Sequence, residues 1–234
     1  MKKIGITGQS GFIGTHLAAY IAKQSDAVLI PFEDGLFKDF DKLRSFVRQC
    51  DVIVHLAAMS RCPSEDELYA TNVGLVRCLI DAMEVEKVTP HVMFASSIHE
   101  DRDIAYGRAK RDGRRLFEEW AARTGAAFTA FIIVNVYGPG ARPFYCSFMA
   151  NFCYQLNHDE EPQVQVDAMM RMIYIENLCR FIFSRIEDKG VSKIPVPCDF
   201  EMKVSEILNV LRTFKDGKAP RDSDENERNL YETY

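Results

Sequence analysis

Short apolar segments alternate with amphipathic segments along the first 134 residues of the chain. The amphipathic segments carry apolar residues at helical spacing, as Leu17, Tyr20 and Ile21 do. Strands are expected over residues 3–7, 27–31, 51–56, 91–95 and 127–134. Helices are expected over residues 15–24, 41–48, 65–83 and 106–124. This alternation predicts an α/β fold with a doubly wound parallel sheet of the Rossmann type.

The alternation weakens after Gly138-Pro139-Gly140. Helices are expected over residues 144–156, 178–185 and 204–214, and an extended segment over residues 164–166. We predict a dinucleotide-binding core over residues 1–140 and a small substrate-binding part over residues 141–215 that is interleaved with the core. Residues 216–234 are expected to form a flexible polar tail, because the segment after Lys215 is too polar to pack.

Composition limits the possible functions without choosing among them. Apolar residues make up 47% of the 234 residues and charged residues 27%, as in an ordinary globular protein. The net charge of −5 gives no reason to expect nucleic-acid or membrane binding. Seven cysteines without a C-x-x-C pair or a ligand-like pairing with histidine indicate reduced thiols and no metal site. No signal peptide is recognisable, so a cytoplasmic protein is expected.

Three glycines, Gly8, Gly11 and Gly14, lie between the first expected strand and the first expected helix. Glycine permits a tight turn, a close approach of backbone to a pyrophosphate, and close packing of helix on strand. The N–H groups at a helix N-terminus also favour phosphate. We therefore expect a nicotinamide dinucleotide on this turn, held by Gly8, Ser10, Gly11, Phe12, Ile13 and Gly14.

The end of the second strand should distinguish NAD from NADP. Glu33 lies there, and a carboxylate would accept hydrogen bonds from a free ribose 2′-hydroxyl and repel a 2′-phosphate. No arginine is close in sequence. Either cofactor, NAD or NADP, remains possible, and the sequence favours NAD.

Tyr106 and Lys110 share one face of an expected helix, with Cβ atoms about 6 Å apart. A free tyrosine has a pKa of about 10, and a neighbouring ammonium lowers it by favouring the phenolate. Ser97 or Ser96, at the end of the preceding strand, would polarise a carbonyl oxygen. Ser97, Tyr106 and Lys110 are thus the expected catalytic residues.

These segments together resemble the extended short-chain dehydrogenases/reductases of the nucleotide-sugar epimerase, dehydratase and reductase group. The matching segments are Thr7–Gly14, Asp51–Ala58, Thr71–Val73, Phe94–Ser97, Tyr106–Lys110 and Asn135–Gly140. The resemblance implies that Leu56, Ala57 and Ala58 line the cofactor, that Asn72 supports the site, and that Asn135 lies between nicotinamide and sugar.

A narrower resemblance covers nearly the whole chain. Ser96-Ser97-Ile98, Asn151–Tyr154, Glu161–Val164 and Leu230–Tyr234 are similar to segments in the reductase domain of capsular and O-antigen UDP-sugar enzymes. Those enzymes reduce a 4-keto-6-deoxy-N-acetylhexosamine on the way to UDP-N-acetyl-L-fucosamine or a related sugar. A cupin domain follows in that family, and this chain stops before it, so a cupin step is expected elsewhere or not at all.

Several positions depart from the family pattern. Ile132 replaces an arginine, and Tyr174–Asn177 replaces a Tyr-Val-Asp-Asp segment. Candidate substrate contacts are Ser96, His99, Asn135, Arg142 and Arg171, the two arginines through a pyrophosphate. The alternative for His99 is an ordinary loop histidine.

The sequence therefore predicts an NAD(P)-dependent reductase of a nucleotide-linked 4-keto-6-deoxy sugar. One alternative is a nucleotide-sugar 4-epimerase with tightly bound NAD, and a second is a non-catalytic dinucleotide-binding protein. The helices over residues 65–83 and 106–124 also predict a homodimer, because related enzymes pair two such helices from each subunit.

Overall fold

The computed structural model describes all residues from Met1 to Tyr234. The strands are β1 (Lys2–Thr7), β2 (Ala27–Ile30), β3 (Val52–His55), β4 (His91–Ser97), β5 (Phe128–Ile133), β6 (Asn135–Tyr137), β7 (Met169–Tyr174), β8 (Val191–Pro195) and β9 (Phe200–Lys203). The helices are α1 (Phe12–Ile21), α2 (Phe40–Val47), α3 (Glu65–Glu86), α4 (Ala105–Thr124), α5 (Phe148–Asn157), α6 (Ile175–Phe183), α7 (Val204–Lys215) and α8 (Glu225–Thr233). Short 3₁₀ turns cover Asp34–Lys38 and Ile98–Asp101.

The first of two compact units comprises residues 1–133 and 179–196. Its sheet has six strands in the order β2-β1-β3-β4-β5-β8, and every neighbouring pair is parallel. The expected doubly wound parallel sheet is therefore confirmed. The chain reverses its direction of winding between β1 and β3, where ligands bind in sheets of this kind.

Burial on both faces explains why the central strands are nearly all apolar. All four residues of β3 and all seven of β4 are buried. Helix α4 contributes Phe117 and Trp120, both fully buried, and the Phe117 ring lies 5.6 Å from those of Phe94 and Phe128. This aromatic cluster fixes α4 on the sheet, and α4 begins at the candidate catalytic residues.

The second unit comprises residues 134–178 and 197–234. Its three-stranded sheet has the order β6-β7-β9, with β6 and β7 parallel and β7 and β9 antiparallel. Helix α7 packs an apolar stripe that contains Ile207, Leu211 and Phe214, all buried. None of the helices in either unit combines the length and the apolar character that a membrane-spanning segment needs.

The structure corrects three expectations about this half of the chain. The unit boundary falls after Ile133 rather than after residue 140, and residues 179–196 return to the first unit. The strand is Met169–Tyr174, whereas residues 164–166 form none. Residues 225–233 form α8 rather than a flexible tail.

Helix α8 is stable in a polar segment for two reasons. The Asp224 side chain caps it by accepting a hydrogen bond from the backbone nitrogen of Glu227. Leu230 is 3% exposed, and the Tyr174 hydroxyl donates to Glu232 at 2.5 Å. One buried leucine and a few specific polar bonds therefore replace the apolar stripe that the sequence lacks.

Candidate active site

Gly8 and Gly14 are required by the close packing of the turn between β1 and α1. Gly8 has φ of +72°, and a Cβ there would lie 2.8 Å from the backbone nitrogen of Ala57. A Cβ at Gly14 would lie 2.2 Å from the carbonyl oxygen of Gly8. Any side chain at either position would therefore push the turn away from β3 or from α1.

Gly11 has a different role, because a Cβ there would meet only the Gly8 carbonyl oxygen, at 3.3 Å. It is the N-cap of α1, and no side chain caps this helix. The backbone N–H groups of the first turn, from Phe12 and Ile13 onward, are therefore available to a phosphate. The turn fits the pyrophosphate of a dinucleotide.

Asp34, rather than Glu33, is the carboxylate held against this turn. The Ser10 hydroxyl donates to Asp34 Oδ2 at 2.5 Å. Gln9 Oε1 accepts a hydrogen bond from the backbone nitrogen of Phe32 at 3.3 Å, which also ties the turn to the end of β2. Glu33 is exposed and has extended backbone.

Thr7 and Asn72 hold the segment that follows β3. Thr7 Oγ1 pairs with His55 Nδ1 at 2.7 Å and accepts from the backbone nitrogen of Ala57 at 3.3 Å. The Asn72 amide is buried and clamps Met59, accepting from its nitrogen at 2.7 Å and donating to its oxygen at 2.9 Å. Leu56, Ala57 and Ala58 therefore lie in a backbone segment fixed at both ends.

Lys110 is 4% exposed and donates to the Ala95 carbonyl oxygen at 2.8 Å. Its Nζ lies 5.0 Å from the centre of the Phe94 ring and 5.6 Å from that of the Tyr106 ring. Burial lowers the pKa of Lys110 to about 8, against the opposing charge of Glu100. The ammonium is thus present at neutral pH beside the tyrosine ring.

Tyr106 lies at the start of α4, where Gly107 allows the 3₁₀ turn Ile98–Asp101 to pack closely. A Cβ at Gly107 would lie 2.1 Å from the carbonyl oxygen of His99. The His99 ring is 6.5 Å from the Tyr106 ring, and burial lowers the pKa of His99. Ser97 Oγ accepts from the backbone nitrogen of His99 at 3.2 Å, so its own proton is available to a ligand.

Ser96 takes part in an internal hydrogen-bond network at the end of β4, and its contact with substrate stays a prediction. Its hydroxyl is buried and donates to Glu100. Glu100 also binds Arg114 Nε at 3.0 Å and Lys193 Nζ at 3.1 Å. Burial raises the pKa of Glu100, but the bonds from these three partners outweigh it and hold the pKa below its usual value.

His55 is a core histidine with a hydrogen bond at only one of its two ring nitrogens. Its Nδ1 is bonded to Thr7, whereas its buried Nε2 has no hydrogen-bond partner. Burial lowers the pKa of His55 to about 3, and the charge of Lys110 contributes. The ring is therefore neutral, and it stacks on Phe94 at 5.8 Å.

The remaining candidate substrate residues belong to the second unit. Asn135 Nδ2 donates to the Arg171 carbonyl oxygen at 3.1 Å, and the Arg171 guanidinium pairs with Glu201 at 3.1 Å. Arg142 lies over the Tyr145 ring at 5.8 Å. Their contact with substrate stays a prediction.

Sequence reasoning missed two features of the first unit. A cavity of about 510 Å³ lies beside Tyr106 and is also lined by Arg61. Gly107, the residue after the tyrosine, determines how closely the His99 turn approaches. A glycine inside an expected helix was the available signal for the second feature, because such a residue usually has a packing reason.

The fold and site define a class of protein: a Rossmann-type unit with a glycine-rich turn after its first strand and a tyrosine beside a buried lysine. The chain belongs to the NAD dependent epimerase/dehydratase family, whose model matches residues 4–194. The resemblance to the extended short-chain dehydrogenases/reductases is thereby confirmed.

Two relatives are similar to this chain over almost its whole length. The UDP-2-acetamido-2,6-beta-L-arabino-hexul-4-ose reductase of Pseudomonas aeruginosa is 27% identical over 240 residues, which cover 99% of this chain and 64% of the relative. CapF, a capsular polysaccharide assembling protein from Staphylococcus aureus, has a TM-score of 0.83 and 28% identity over 99% of this chain and 64% of CapF.

A third relative is similar in fold alone. UDP-glucuronic acid 4-epimerase from Bacillus cereus, solved in complex with NAD, has a TM-score of 0.82 and 18% identity over 99% of this chain and 97% of the epimerase. The chain thus spans 64% of the length of the reductase and of CapF, but is nearly as long as this epimerase.

Proposed function

We propose that this protein is an NAD(P)-dependent reductase of a nucleotide-linked 4-keto-6-deoxy sugar, of the UDP-N-acetylhexosamine type. The observation that carries the proposal is the buried Lys110 ammonium beside the ring of Tyr106, next to the end of β4 where Ser97 lies. These groups suit proton transfer to a carbonyl oxygen at the carboxyl edge of a dinucleotide-binding sheet.

The glycine turn and the N-terminus of α1 would hold the pyrophosphate, and the segment from Leu56 to Ala58 would line the cofactor. Bound NAD(P)H supplies the hydride. The protein itself supplies position and charge. Of the three glycines in this turn, packing requires Gly8 and Gly14 most strongly, and the uncapped helix N-terminus that begins at Gly11 is the best support for a ligand on the turn.

Each catalytic side chain has one task. Ser97 donates a hydrogen bond to the substrate carbonyl oxygen, since its oxygen already accepts from the backbone nitrogen of His99 and its proton is left for a ligand. Tyr106 delivers the proton to that oxygen. Lys110 lowers the free energy of the phenolate that remains and is fixed for this task by the Ala95 carbonyl. These roles add up to general acid catalysis with electrostatic support.

The substrate class is supported by the named reductase from Pseudomonas aeruginosa and by CapF, which align with 99% of the chain. Both names point to sugar chemistry, and one specifies an acetamido group and a 4-ketone. We extend this to the present chain and expect its product to serve a surface polysaccharide.

Turnover with one substrate tests the proposal. The protein is mixed with UDP-4-keto-6-deoxy-N-acetylhexosamine and NADH or NADPH, and the absorbance of the reduced nicotinamide is followed together with product stereochemistry. We expect stoichiometric consumption of cofactor and a 4-hydroxy product. Isomerisation without net consumption of cofactor would instead identify an epimerase with retained NAD. Binding of dinucleotide without either outcome would identify a non-catalytic protein.

The cofactor is proposed to be NAD rather than NADP. Asp34 is held by Ser10 at the end of β2, and Glu33 follows the same strand. A 2′-phosphate would face two carboxylates there. We expect a lower KM for NADH than for NADPH in the wild-type protein, and Asp34→Ala should reduce that preference. An unchanged ratio in Asp34→Ala, with Glu33→Ala as the parallel variant, would assign discrimination to another residue.

A homodimer through α3 and α4 is proposed from Gly74. This glycine lies in the middle of α3, is exposed, and has nothing within 4 Å of its would-be Cβ. Glycine there costs about 1 kcal/mol relative to alanine, and no packing within the chain requires it. The close approach of a helix from a partner subunit would require it. Light scattering should give a dimer mass that Gly74→Trp abolishes and Gly35→Trp, at another open glycine, does not.

A further inference from the structure

The cavity beside Tyr106 has a volume of about 510 Å³, which is within the usual range for a small-molecule site. It lies between the segment that follows β3 and the N-terminus of α4. Its lining includes the catalytic tyrosine and the buried Leu68. The cavity is therefore within reach of a substituent on a sugar ring whose carbonyl is held by Tyr106.

The cavity wall is mainly apolar but contains one free cation. Ile104, which is 41% exposed, and the buried Leu68 both line the cavity. Arg61 is exposed and has no hydrogen-bond or ion-pair partner in the chain. Glu65, the acidic residue on the wall, lies 3.8 Å from Arg108.

Arg61 is held on an anchored segment rather than on a free loop. The Asn72 amide fixes Met59 on one side with two hydrogen bonds. On the other side Cys62 Sγ donates to Glu67 at 3.4 Å, and the Ser64 hydroxyl accepts from the backbone nitrogen of Glu67 at 3.2 Å. The entropic cost of aligning Arg61 with a ligand is thereby reduced.

We propose that this cavity is a specificity subsite for the acylamino substituent of the sugar. The carbonyl oxygen of the acyl group accepts hydrogen bonds from Arg61, and its methyl group lies against Leu68 and Ile104. The inference rests on the proposed reductase function and identifies the residue that recognises its substrate class.

The balance of charge and polarity favours a neutral occupant over a phosphate. Only one arginine faces the cavity, and Glu65 on the same wall would repel the negative charge of a phosphate. A diphosphate would need several donors, and the apolar wall would leave its oxygens without partners. An acetamido group has one strong acceptor and one methyl group, which match the single cation and the apolar wall.

Paired ligands test the inference. Turnover is compared for UDP-4-keto-6-deoxy-N-acetylhexosamine and for the same UDP-sugar with a hydroxyl in place of the acetamido group. Arg61→Gln is expected to raise the KM of the acetamido substrate about 10- to 100-fold, as loss of a charge-assisted hydrogen bond does. Its KM for the hydroxyl substrate should stay unchanged. Arg115→Gln, at a side chain 63% exposed on α4, is the matched control and should change neither.

Binding gives a readout that does not depend on turnover. Calorimetry with UDP-N-acetylglucosamine and UDP-glucose should show preference for the acetamido sugar in the wild-type protein and a loss of that preference in Arg61→Gln. Equal effects of Arg61→Gln on both sugars, or no effect on either, would overturn the inference. Absence of turnover in the wild-type protein with normal acetamido preference in binding would overturn the reductase function and leave the subsite intact.

Discussion

Two cations lie close to Tyr106, and their surroundings are opposite. Lys110 is 4% exposed and bonded to a backbone carbonyl, whereas Arg61 is exposed and unpartnered on the wall of a cavity. The buried cation has a lowered pKa and is the one that we propose for catalysis. The exposed cation keeps its donors for a ligand. Substitutions on the buried side should therefore change kcat and stability, and those on the cavity side should change KM.

Burial of the Lys110 ammonium lowers the stability of the folded protein. One carbonyl bond and the distant charge of Glu100 do not restore the hydration that the Lys110 ammonium loses, which is why its pKa falls to about 8. The difference from its usual value of 10.5 corresponds to about 3 kcal/mol. Stability is given up here to hold a positive charge beside Tyr106, as functional sites often require.

Among substitutions of the residues around Tyr106, the largest effect is expected from Lys110→Met. Loss of the ammonium raises the pKa of Tyr106 and should lower kcat about 100- to 1000-fold. The same variant should be more stable at neutral pH, by at most about 3 kcal/mol, because a buried charge is replaced by an apolar chain of similar length. Arg61→Met is the matched control, and it should leave kcat and the free energy of unfolding nearly unchanged.

The sign of this stability effect depends on pH. The unfolded lysine holds its proton up to its usual pKa of 10.5, and the folded one only to about 8. Between these values the unfolded state binds more protons, so stability of the wild-type protein rises with pH. The advantage of Lys110→Met should therefore shrink across this range in chemical denaturation. A constant difference would contradict the burial of a charged Lys110.

His55 should produce the next largest effect, on acid stability. The pKa of His55 is about 3 in the folded protein and 6.5, its ordinary value, in the unfolded chain. The unfolded chain therefore binds one more proton between these pH values. The free energy of unfolding should therefore fall as the pH drops below 6.5, and the loss should reach about 3 kcal/mol at about pH 4. His55→Gln should remove this dependence in urea titrations, and His158→Gln, at an exposed position, should keep it.

Glu100→Gln should act through the charge of Lys110 without touching substrate. The carboxylate bonds Ser96, Arg114 and Lys193, and its charge supports the ammonium of Lys110. Its removal leaves two cations less compensated, so a loss of about 2 kcal/mol in stability is expected. We expect the alkaline limb of the pH profile of kcat to shift to lower pH, because the charge of Glu100 raises the pKa of Lys110. A purely structural role of Glu100 would leave that limb in place.

The smallest effect is expected from Ile104→Ala on the cavity side. This side chain is 41% exposed, so its truncation should cost less than about 0.5 kcal/mol of stability. KM for the acetamido substrate should rise a few fold through lost contact with the methyl group, at unchanged kcat. A fall in kcat instead would show that the two sides of Tyr106 are not separable.

The sequence was sufficient for features carried by local spacing. Gly8, Gly14 and the Tyr106–Lys110 pair follow from a strand, a turn and a helix read in order. Features that depend on distant elements were out of reach. The bond from Ser96 to Glu100 is explained only once β4, α4 and β8 bring Arg114 and Lys193 together.

Short or polar elements were the other source of error. Strands β6 and β9 have three and four residues, too few for a periodicity to stand out. Helix α8 contains one buried leucine, so its stability comes from a cap and from the bond between Tyr174 and Glu232. Asp34 and Glu33 are adjacent carboxylates, and only the position of Ser10 distinguishes them.

The most direct measurement is a comparison of kcat for Tyr106→Phe and Tyr69→Phe with the UDP-4-keto-6-deoxy-N-acetylhexosamine substrate. Tyr69 is a fair control, because its hydroxyl bonds Asp112 at 2.9 Å on the nearby pair α3 and α4. We expect Tyr106→Phe to lose about 100- to 10,000-fold in kcat and Tyr69→Phe to retain wild-type turnover. Turnover of Tyr106→Phe equal to that of Tyr69→Phe would contradict proton donation by Tyr106.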